Sequence, residues 1–460
     1  MLHLYNSLSK TKTLFHPIET GKIKLYVCGL TPYDYAHIGH ARTWCAFDVM
    51  VRYLRSEGYE VTYVRNFTDI DDKIILRANE NNEPFYVLTE RFMRAMHEDM
   101  AALNVISPDI EPLATRYIDQ MQQMIQVLID KDYAYIGENG DVYYRVKAFE
   151  AYGRLANKTL ADLQSGSRVS VATDKTDPFD FVLWKQAKPS EPSWDSPWGK
   201  GRPGWHIECS AMSKHCLGDH IDMHGGGGDL KFPHHENEIA QSEAANDQPF
   251  VNYWIHTGMV NVNQEKMSKS LHNFFTIKEV LETYRSEVVR YFLIASHYRS
   301  QVDYSADSFA QATAALNRFY TALRGSSIVP AVPGSIYEKR FKEAMDDDFN
   351  TPEALAVLFD LTHEIHRARQ TDEVYAIQLA AILRQLGGIL GLLQDDPERF
   401  LHGGHHEQAF YDQISALIAE RNLAREQKEW AKADAIKKAL TELGVSIEDG
   451  VGGTSWRKVE

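Results

Sequence analysis

The chain has 460 residues, 44% of them hydrophobic and 25% charged, which is typical of a globular protein. Its length predicts about three or four domains. No uninterrupted apolar run approaches the roughly 18 residues that span a bilayer, which argues against a membrane protein. The first residues lack the basic flank and long apolar core of a signal peptide, and four cysteines are too few for a disulfide scaffold. We therefore expect a cytoplasmic location.

The formal net charge of −15 argues against a protein that coats nucleic acid without specificity. Phosphate binding needs a local positive surface rather than a positive total charge. Because a large acidic protein can carry a basic groove, the charge is still compatible with one specific RNA partner.

The first part of the chain predicts a βαβ unit. Residues 24–28 are an apolar strand-like run, residues 41–55 a helix, and residues 60–64 a strand with β-branched and aromatic side chains. This pattern indicates an α/β fold with a parallel sheet and crossover helices. Residues 68–71 resemble a capping box that opens another helix. Their acidic side chains could instead bind magnesium, but capping is the preferred interpretation.

Residues 116–200 interrupt this pattern. A hairpin-like stretch at residues 139–144 and a stretch rich in Pro and Trp at residues 189–194 predict an insertion that splits the parallel-sheet domain. The sheet is expected to resume at residues 219–224. From Thr276 onward, apolar periodicity predicts mainly helices, followed by a short β-like tail. These elements are expected at residues 276–297, 306–324, 351–370, 374–393, 411–430, 431–443 and 445–456.

Two short motifs predict a phosphate site. In the first, His37 and His40 flank Gly39 where the strand gives way to the helix, so two imidazoles and a helix N-terminus can face an anion. In the second, Lys266 and Lys269 are mobile cations suited to a loop that closes on pyrophosphate. Alone, the first motif could be a capped core helix and the second a solvated turn. Together they predict ATP-dependent activation of a carboxylate.

Soft and borderline metal ligands accompany these motifs. Cys28 ends the first strand, and Cys209 precedes a helix-like stretch that holds His234 and Glu238 four residues apart. That spacing places the last two on one helix face, as a metal pair needs. His235 with Glu238 is a rival pair. Two thiolates, an imidazole and a carboxylate form a reasonable zinc site, and the spacing leaves the choice of histidine open.

Longer stretches carry a family resemblance. Residues 28–42, 201–212 and 225–238 resemble the signatures of the cysteinyl-tRNA synthetase family, within the class I aminoacyl-tRNA synthetases. The similarity continues at residues 346–352 and 456–458, so it covers essentially the whole chain. It implies a cysteine–tRNA ligase, which activates L-cysteine with ATP as cysteinyl-adenylate, releases pyrophosphate and transfers cysteine to the 3′-terminal adenosine of tRNA(Cys).

The resemblance also implies the residues of the site. It places one Zn²⁺ per chain on Cys28, Cys209, His234 and Glu238. It implies that ATP, with Mg²⁺, contacts Thr31, His37, Gly39, His40, Gly227, Asp229 and Lys269. It implies that the substrate cysteine contacts Gly29, Thr68 and Trp205. The residues expected to act directly in catalysis are His37, His40, Lys266 and Lys269.

The implied fold is a Rossmann-type catalytic domain with an inserted connective domain, a helical bundle and a small anticodon-binding domain. The catalytic domain is expected at residues 1–115 and 201–305, and its second half includes the lysine motif. The insertion is expected at residues 116–200, the bundle at 306–395 and the last domain at 405–460. Two residues depart from the family pattern: Pro32 is expected to stiffen the loop before His37, and His272 to alter the mobility of the lysine loop.

Zinc would answer a specificity problem, because cysteine and serine differ by one atom and shape discriminates poorly at that scale. A thiol ionises far more readily than a hydroxyl, so a zinc site is expected to prefer the substrate sulfur. The expected partners are tRNA(Cys), ATP and L-cysteine, without DNA or a membrane.

Two alternative functions stay open. One is a ligase that joins cysteine to an amino sugar, and the other is a non-catalytic zinc- or RNA-binding relative of the synthetases. Retention of both phosphate motifs argues against the second. The C-terminal region argues against the first, because Trp456, Arg457 and Lys458 form an aromatic–basic cluster suited to RNA. Helical basic residues precede it, and a solvated face is their simpler interpretation: Arg421, Arg425, Lys428, Lys432, Lys437 and Lys438.

Overall fold

The computed structural model describes residues 1–158, 175–262, 265–266, 274–402, 408–450 and 453–458. At its centre lies a four-stranded parallel sheet, the central sheet. Its strands, in spatial order, are Val251–Thr257, Ile221–Gly227, Lys22–Leu30 and Glu60–Phe67. This arrangement confirms the predicted α/β class.

Helix Ile38–Ser56 connects two neighbouring strands of the central sheet and buries most of its length. Its apolar side chains pack with strand residues such as Leu25 and Val27 in the largest core cluster. The carboxyl ends of the four parallel strands meet at one edge, where ligands bind in open α/β sheets. The chain thereby brings together residues that lie up to about 230 positions apart in the sequence.

A second, antiparallel sheet forms within the predicted insertion, except that its last strand lies just beyond the expected boundary at residue 200. The hairpin predicted at residues 139–144 joins its first two strands, and Trp184 lies fully buried in its core. The strands are Ala134–Ile136, Val142–Tyr144, Phe181–Gln186 and Gly201–Pro203.

Two smaller sheets border the central one. An N-terminal hairpin pairs His3–Asn6 with Thr11–Leu14. Val260–Val262 pairs with Glu265–Lys266 on one side and with Val302–Tyr304 on the other. The helices of the catalytic part, besides Ile38–Ser56, are Asp72–Glu80, Phe85–Ala102, Ile118–Asp130, Trp205–Leu217, His234–Asn246, Ile277–Thr283 and Ser286–Ile294. Short 3-10 helices span Ala114–Arg116, Val146–Ala148 and Gly228–Lys231.

Two local predictions were wrong. The capping box at residues 68–71 does not form. Asp71 alone caps helix Asp72–Glu80, and the Thr68 hydroxyl donates to Glu208 instead. The stretch at residues 276–297 is two helices, with Tyr284 and Arg285 in extended conformation between them. Tyr284 stacks on Phe309 with ring centroids 3.9 Å apart. The apolar periodicity of residues 276–297 therefore reflects side chains that stay buried on both sides of the interruption, and it does not indicate one continuous helix.

The C-terminal half is helical, as predicted, and includes a helix that the sequence analysis missed, Ile336–Asp346. Its helices are Ala306–Leu323, Ile336–Asp346, Thr351–Ala368, Glu373–Ile389, Pro397–His402, Gln408–Glu426 and Trp430–Glu442. In the described part of the chain, none of the helices is long and apolar enough to cross a membrane.

The last residues have their own small core. Ile414, Ile436 and Leu440 pack against the hairpin of Val445–Gly450 and Gly453–Lys458. Trp456 belongs to this core and is only 9% exposed. Its proposed role as a stacking surface for RNA bases was therefore wrong, because a side chain that fills a core cannot also receive a base.

Candidate active site

A cleft of about 490 Å³ opens at the carboxyl edge of the central sheet. It is lined from both halves of the catalytic part and from the first helix. Most of the residues expected at the site line this cleft: Cys28, Gly29, Thr31, His37, Gly39, His40, Thr68, Trp205, Cys209, Gly227, Asp229 and His234. Glu238 lies behind the cleft wall and is fully buried.

The two histidines of the first motif cap the helix and also face the cleft. His37 is the N-cap residue, and its Nδ1 accepts from the Gly39 N–H at 3.1 Å. The His37 N–H donates to Nδ1 of His40 at 3.1 Å, and the rings stack with centroids 3.5 Å apart. Capping and phosphate binding are therefore compatible, because each ring keeps its Nε2 away from the cap.

Described residues flank the lysine segment on both sides. Lys266 belongs to a strand that pairs with Val260–Val262, whose first residue lines the cleft. On the far side, Phe274 lines the cleft and meets the His37 ring edge-on at 5.0 Å. The Ile38 N–H donates to the Phe275 carbonyl at 3.2 Å. Lys269 and His272 lie outside the described residues, and their roles stay predictions.

Four buried donor groups converge at the cleft, and three of them line it. Ligand atoms of Cys28, Cys209, His234 and Glu238 all lie within 4.8 Å of one another. The two sulfur atoms are 3.6 Å apart, Sγ of Cys28 lies 3.3 Å from Oε1 of Glu238, and that oxygen lies 3.0 Å from Nε2 of His234. Because these residues lie as many as 210 positions apart in the sequence, only tertiary folding brings the donor set together.

A second donor set shares Cys28 and Glu238 but uses His224 and His235. Nε2 of His235 lies 3.9 Å from Glu238, farther than Nε2 of His234, and neither His224 nor His235 lines the cleft. Of the second set only Cys28 lines the cleft, whereas three members of the first set do: Cys28, Cys209 and His234. The geometry therefore favours His234 over its rival.

His224 has another role that the sequence analysis missed. Its Nε2 lies 2.8 Å from Oε2 of Glu238, so it holds the carboxylate with Oε1 toward Cys28 and His234. Partners of this kind orient metal ligands in many proteins. The signal available in the sequence was a histidine in the strand that runs into the glycine stretch.

The electrostatics of the four donors suit a cation. A hydrogen bond with Cys28 lowers the pKa of Cys209 to about 6, although burial opposes the thiolate. Burial raises the pKa of Cys28 well above its usual value. Burial also disfavours the charged Glu238, but His224 and His234 together hold its pKa well below the usual range. A bound metal cation would add the charge that ionises the second thiol.

Two thiols, an imidazole and a carboxylate match the ligands that zinc takes in proteins, and their burial fits a tight site. Trp205 lies over this site at the helix start, 40% exposed, and stacks on the His234 ring with centroids 4.3 Å apart. An aromatic lid beside a ligand can cover a bound amino acid and exclude water.

The substrate side of the cleft depends on a close approach of two strands. The Gly29 N–H donates to Oδ1 of Asn66 at 2.9 Å, and a Cβ on Gly29 would lie 1.5 Å from the Asn66 carbonyl oxygen. Thr68 donates its hydroxyl proton to Glu208 at 2.7 Å, which leaves its lone pairs for a donor in the cleft. Asn66 lines the cleft and was missed, because nothing local distinguishes it from a loop asparagine.

Substituting Gly29 with alanine is expected to destabilise the protein by about 3 kcal/mol, since the strands must separate to admit the methyl group. Thermal unfolding measures the loss. The matched control is Gly388→Ala, where the added Cβ meets only the movable end of Gln394 and the helix gains a better helix former. Equal unfolding temperatures for the two variants would contradict the close approach.

The glycine stretch shapes the part of the cleft where ATP is predicted to bind. A Cβ on Gly227 would lie 2.5 Å from Oδ1 of Asp229, so glycine leaves room for that carboxylate in the short 3-10 helix. Thr31 lies across the cleft on the loop that also holds Pro32, which is buried. Both Asp229 and Thr31 keep their predicted role as ATP contacts.

Comparisons with known proteins identify the family. The family model for the tRNA synthetases class I (C) catalytic domain matches residues 14–314, a DALR domain model matches residues 340–394, and a cysteinyl-tRNA ligase anticodon binding domain model matches residues 407–457. A curated cysteine–tRNA ligase from Thioalkalivibrio sulfidiphilus (strain HL-EbGR7) is 59% identical over 459 residues, and one from Ectopseudomonas mendocina (strain ymp) is 58% identical over 459. Both alignments cover 100% of each chain.

Solved structures show the same fold at low identity. Methionyl-tRNA synthetase of Mycobacterium tuberculosis, in complex with methionyl-adenylate, superposes with a TM-score of 0.57 at 13% identity, over 83% of this chain and 91% of that one. The leucyl-tRNA synthetase of Agrobacterium radiobacter K84 gives a TM-score of 0.59 at 11% identity, over 84% and 85%.

The central sheet, the histidine motif at the first helix and these superpositions define a class I aminoacyl-tRNA synthetase fold. Within that class, the chain belongs to the cysteinyl-tRNA synthetase family. The family resemblance and fold class predicted from the sequence are thereby confirmed.

Proposed function

We propose that the protein is a cysteine–tRNA ligase that uses ATP to activate L-cysteine and then transfers it to tRNA(Cys). The observation that carries this proposal is one cleft lined both by the helix start that bears His37 and His40 and by three members of a thiol-rich donor set. Full-length relatives that bear this activity in their names support it. Charging of tRNA also fits the expected cytoplasmic location.

In the activation step, the substrate carboxylate attacks the α-phosphorus and pyrophosphate leaves. The imidazoles of His37 and His40, which line the cleft, and the positive end of their helix would stabilise the developing negative charge. Lys266 and Lys269 are proposed to bind the leaving pyrophosphate. None of these residues forms a covalent bond to the substrate, so they act by position and charge.

We assign one zinc ion per chain to Cys28, Cys209, His234 and Glu238. When bound, zinc would supply a soft Lewis acid that prefers a substrate thiolate to a hydroxyl. Thr68 would accept from the substrate ammonium, Gly29 would permit its close approach, and Trp205 would cover it. With four protein donors, binding of the substrate sulfur requires a fifth coordination position or release of one protein ligand.

The C-terminal unit is proposed to bind the anticodon, which is supported by its family-model match. Since Trp456 is buried, Trp430 is the better candidate for stacking on a base, at 59% exposed and at the start of helix Trp430–Glu442.

The direct test is cysteine-dependent exchange of pyrophosphate into ATP, with serine as the control amino acid, followed by charging of tRNA(Cys). Exchange with cysteine and not with serine, together with charging, is the expected result. Exchange without charging would favour the amino-sugar ligase, and absence of both would favour a non-catalytic protein.

Truncation after His402 is expected to leave pyrophosphate exchange intact and to weaken tRNA charging. The cut spares Phe400, whose ring stacks on Tyr320 with centroids 4.0 Å apart, and it removes a unit with a separate core. Initial rates of both reactions measure the effect. Undiminished charging would show that the C-terminal unit does not bind the tRNA.

A further inference from the structure

A buried arginine on the first helix lies behind the phosphate-binding end of the cleft. Arg42 follows His40 by two residues, and its side chain is 1% exposed. Each hydrogen bond described for its guanidinium goes to a backbone carbonyl. Burial lowers the pKa of Arg42 to about 10, which leaves the group charged at neutral pH.

Those carbonyls belong to one helix end and the turn that follows. Arg42 donates to Leu293 in the last turn of helix Ser286–Ile294, and to Ser296, His297 and Ser300. The bond to His297 is 2.6 Å long. Carbonyls at a helix C-terminus have no partner within the helix and carry negative partial charge. The Arg42 guanidinium therefore caps this helix and also holds together residues 296–300. We call these residues the capped turn.

The capped turn packs directly on the wall of the cleft. The Gly258 N–H donates to the Tyr298 carbonyl at 2.8 Å, and a Cβ on Gly258 would lie 2.1 Å from the Ser300 carbonyl oxygen. The Val302 N–H donates to Met259 at 3.0 Å. Since Gly258 and Met259 line the cleft, movement of the turn would move that wall.

The same wall leads to the lysine motif. Strand Val302–Tyr304, which continues the capped turn, pairs in parallel with Val260–Val262, and that strand pairs with Glu265–Lys266. Arg42 thus connects the helix that begins with the histidine motif to the strands from which the lysine segment departs.

We propose that Arg42 is a positioning residue for amino-acid activation, which sets the relative position of the histidine and lysine motifs by locking the capped turn to the first helix. Arg42 does not line the cleft, so it acts through the residues that do. This inference rests on the proposed ligase function.

Asp348 holds the capped turn from the opposite side. It is 1% exposed and accepts from the Tyr298 hydroxyl and from Nε of Arg299, each at 2.8 Å. It lies far along the chain, in the loop before helix Thr351–Ala368. Asp348→Asn keeps the side-chain volume and removes the charge, so it loosens the same turn by an independent route.

The first test is Arg42→Lys, which keeps the charge but loses the planar fork that reaches several carbonyls. We expect kcat for pyrophosphate exchange to fall about 10-fold, because small displacements of reacting groups are costly. The KM for cysteine is expected to change less than about 2-fold, since the donor set at the other end of the cleft is not displaced. The matched control is Arg55→Lys on the same helix, where the arginine is 37% exposed and pairs with Asp109.

The second test is a double-mutant cycle with Lys269→Ala. If Arg42 acts by positioning the lysine motif, Arg42→Lys is expected to cost less than about 3-fold once Lys269 is gone. Additive losses in both the Arg42→Lys and the Asp348→Asn cycles would overturn the inference. Should Arg42→Lys fail to fold, the Asp348→Asn cycle decides alone. Failure of the ligase function itself is distinguishable, because the unmodified protein would then show no cysteine-dependent exchange.

Discussion

Replacement of Lys269 with alanine is expected to slow pyrophosphate exchange about 100- to 1,000-fold, the usual cost of removing one group that stabilises transition-state charge. On one side of Lys269, Phe274 lines the cleft and contacts the His37 ring; on the other, the strand of Lys266 pairs with Val260–Val262, whose first residue also lines the cleft. The variant's folding should be unaffected, and thermal unfolding measures that.

Lys278→Ala is the matched control for this prediction. It removes the same charge from an exposed position on the nearby helix Ile277–Thr283. The Lys278 ammonium lies 5.8 Å from the Tyr35 ring centroid. Its exchange rate is expected to change less than about 3-fold. If Lys269→Ala exchanges as fast as the unmodified protein, the lysine has no role in activation.

Loss of zinc is expected to abolish most of the discrimination between cysteine and serine. Cys209→Ser removes a thiol from the buried donor set and should lower the zinc content measured on the purified protein. Without the metal, shape alone distinguishes the two amino acids, and a sulfur-for-oxygen exchange is expected to give less than the roughly 10- to 200-fold that a whole methylene provides. The ratio of kcat/KM for the two amino acids in pyrophosphate exchange measures the change.

Cys216→Ser is the control, because that thiol is outside the donor set and lies 3.7 Å from the Tyr117 hydroxyl. It should retain full zinc content and full discrimination. Stoichiometric zinc in Cys209→Ser would exclude Cys209 as a ligand. If a chelator removes the zinc and the protein still discriminates fully between cysteine and serine, the metal does not recognise the substrate sulfur.

Local sequence signals predicted much of the fold. Alternation and periodicity around residues 24–64 indicated the βαβ unit, and a turn signal at residues 139–144 indicated the hairpin of the insertion. These signals succeed because strand pairing in a hairpin and burial of one helix face depend on neighbours a few residues away. They failed at Tyr284, where side-chain burial continues although the helix ends.

The candidate site was predicted in part. His37 and His40 are close in sequence, so their shared face at a helix start could be inferred, and their phosphate role stays a prediction. The choice between His234 and His235 could not be made from spacing, because both reach Glu238 along one helix. Tertiary structure favours His234, since only that ring faces both the second thiol and the cleft.

By itself, the sequence determined the α/β class, the family and the residue types available for phosphate and metal binding. Only the tertiary structure decided that Cys28 and Cys209 lie 3.6 Å apart, that Trp456 fills a core and that Arg42 caps a distant helix. The physical reason is the range of the interactions. Helix capping and strand alternation act over a few residues, whereas the metal ligands and the buried guanidinium find partners about 180 to 260 residues away through packing of the whole domain.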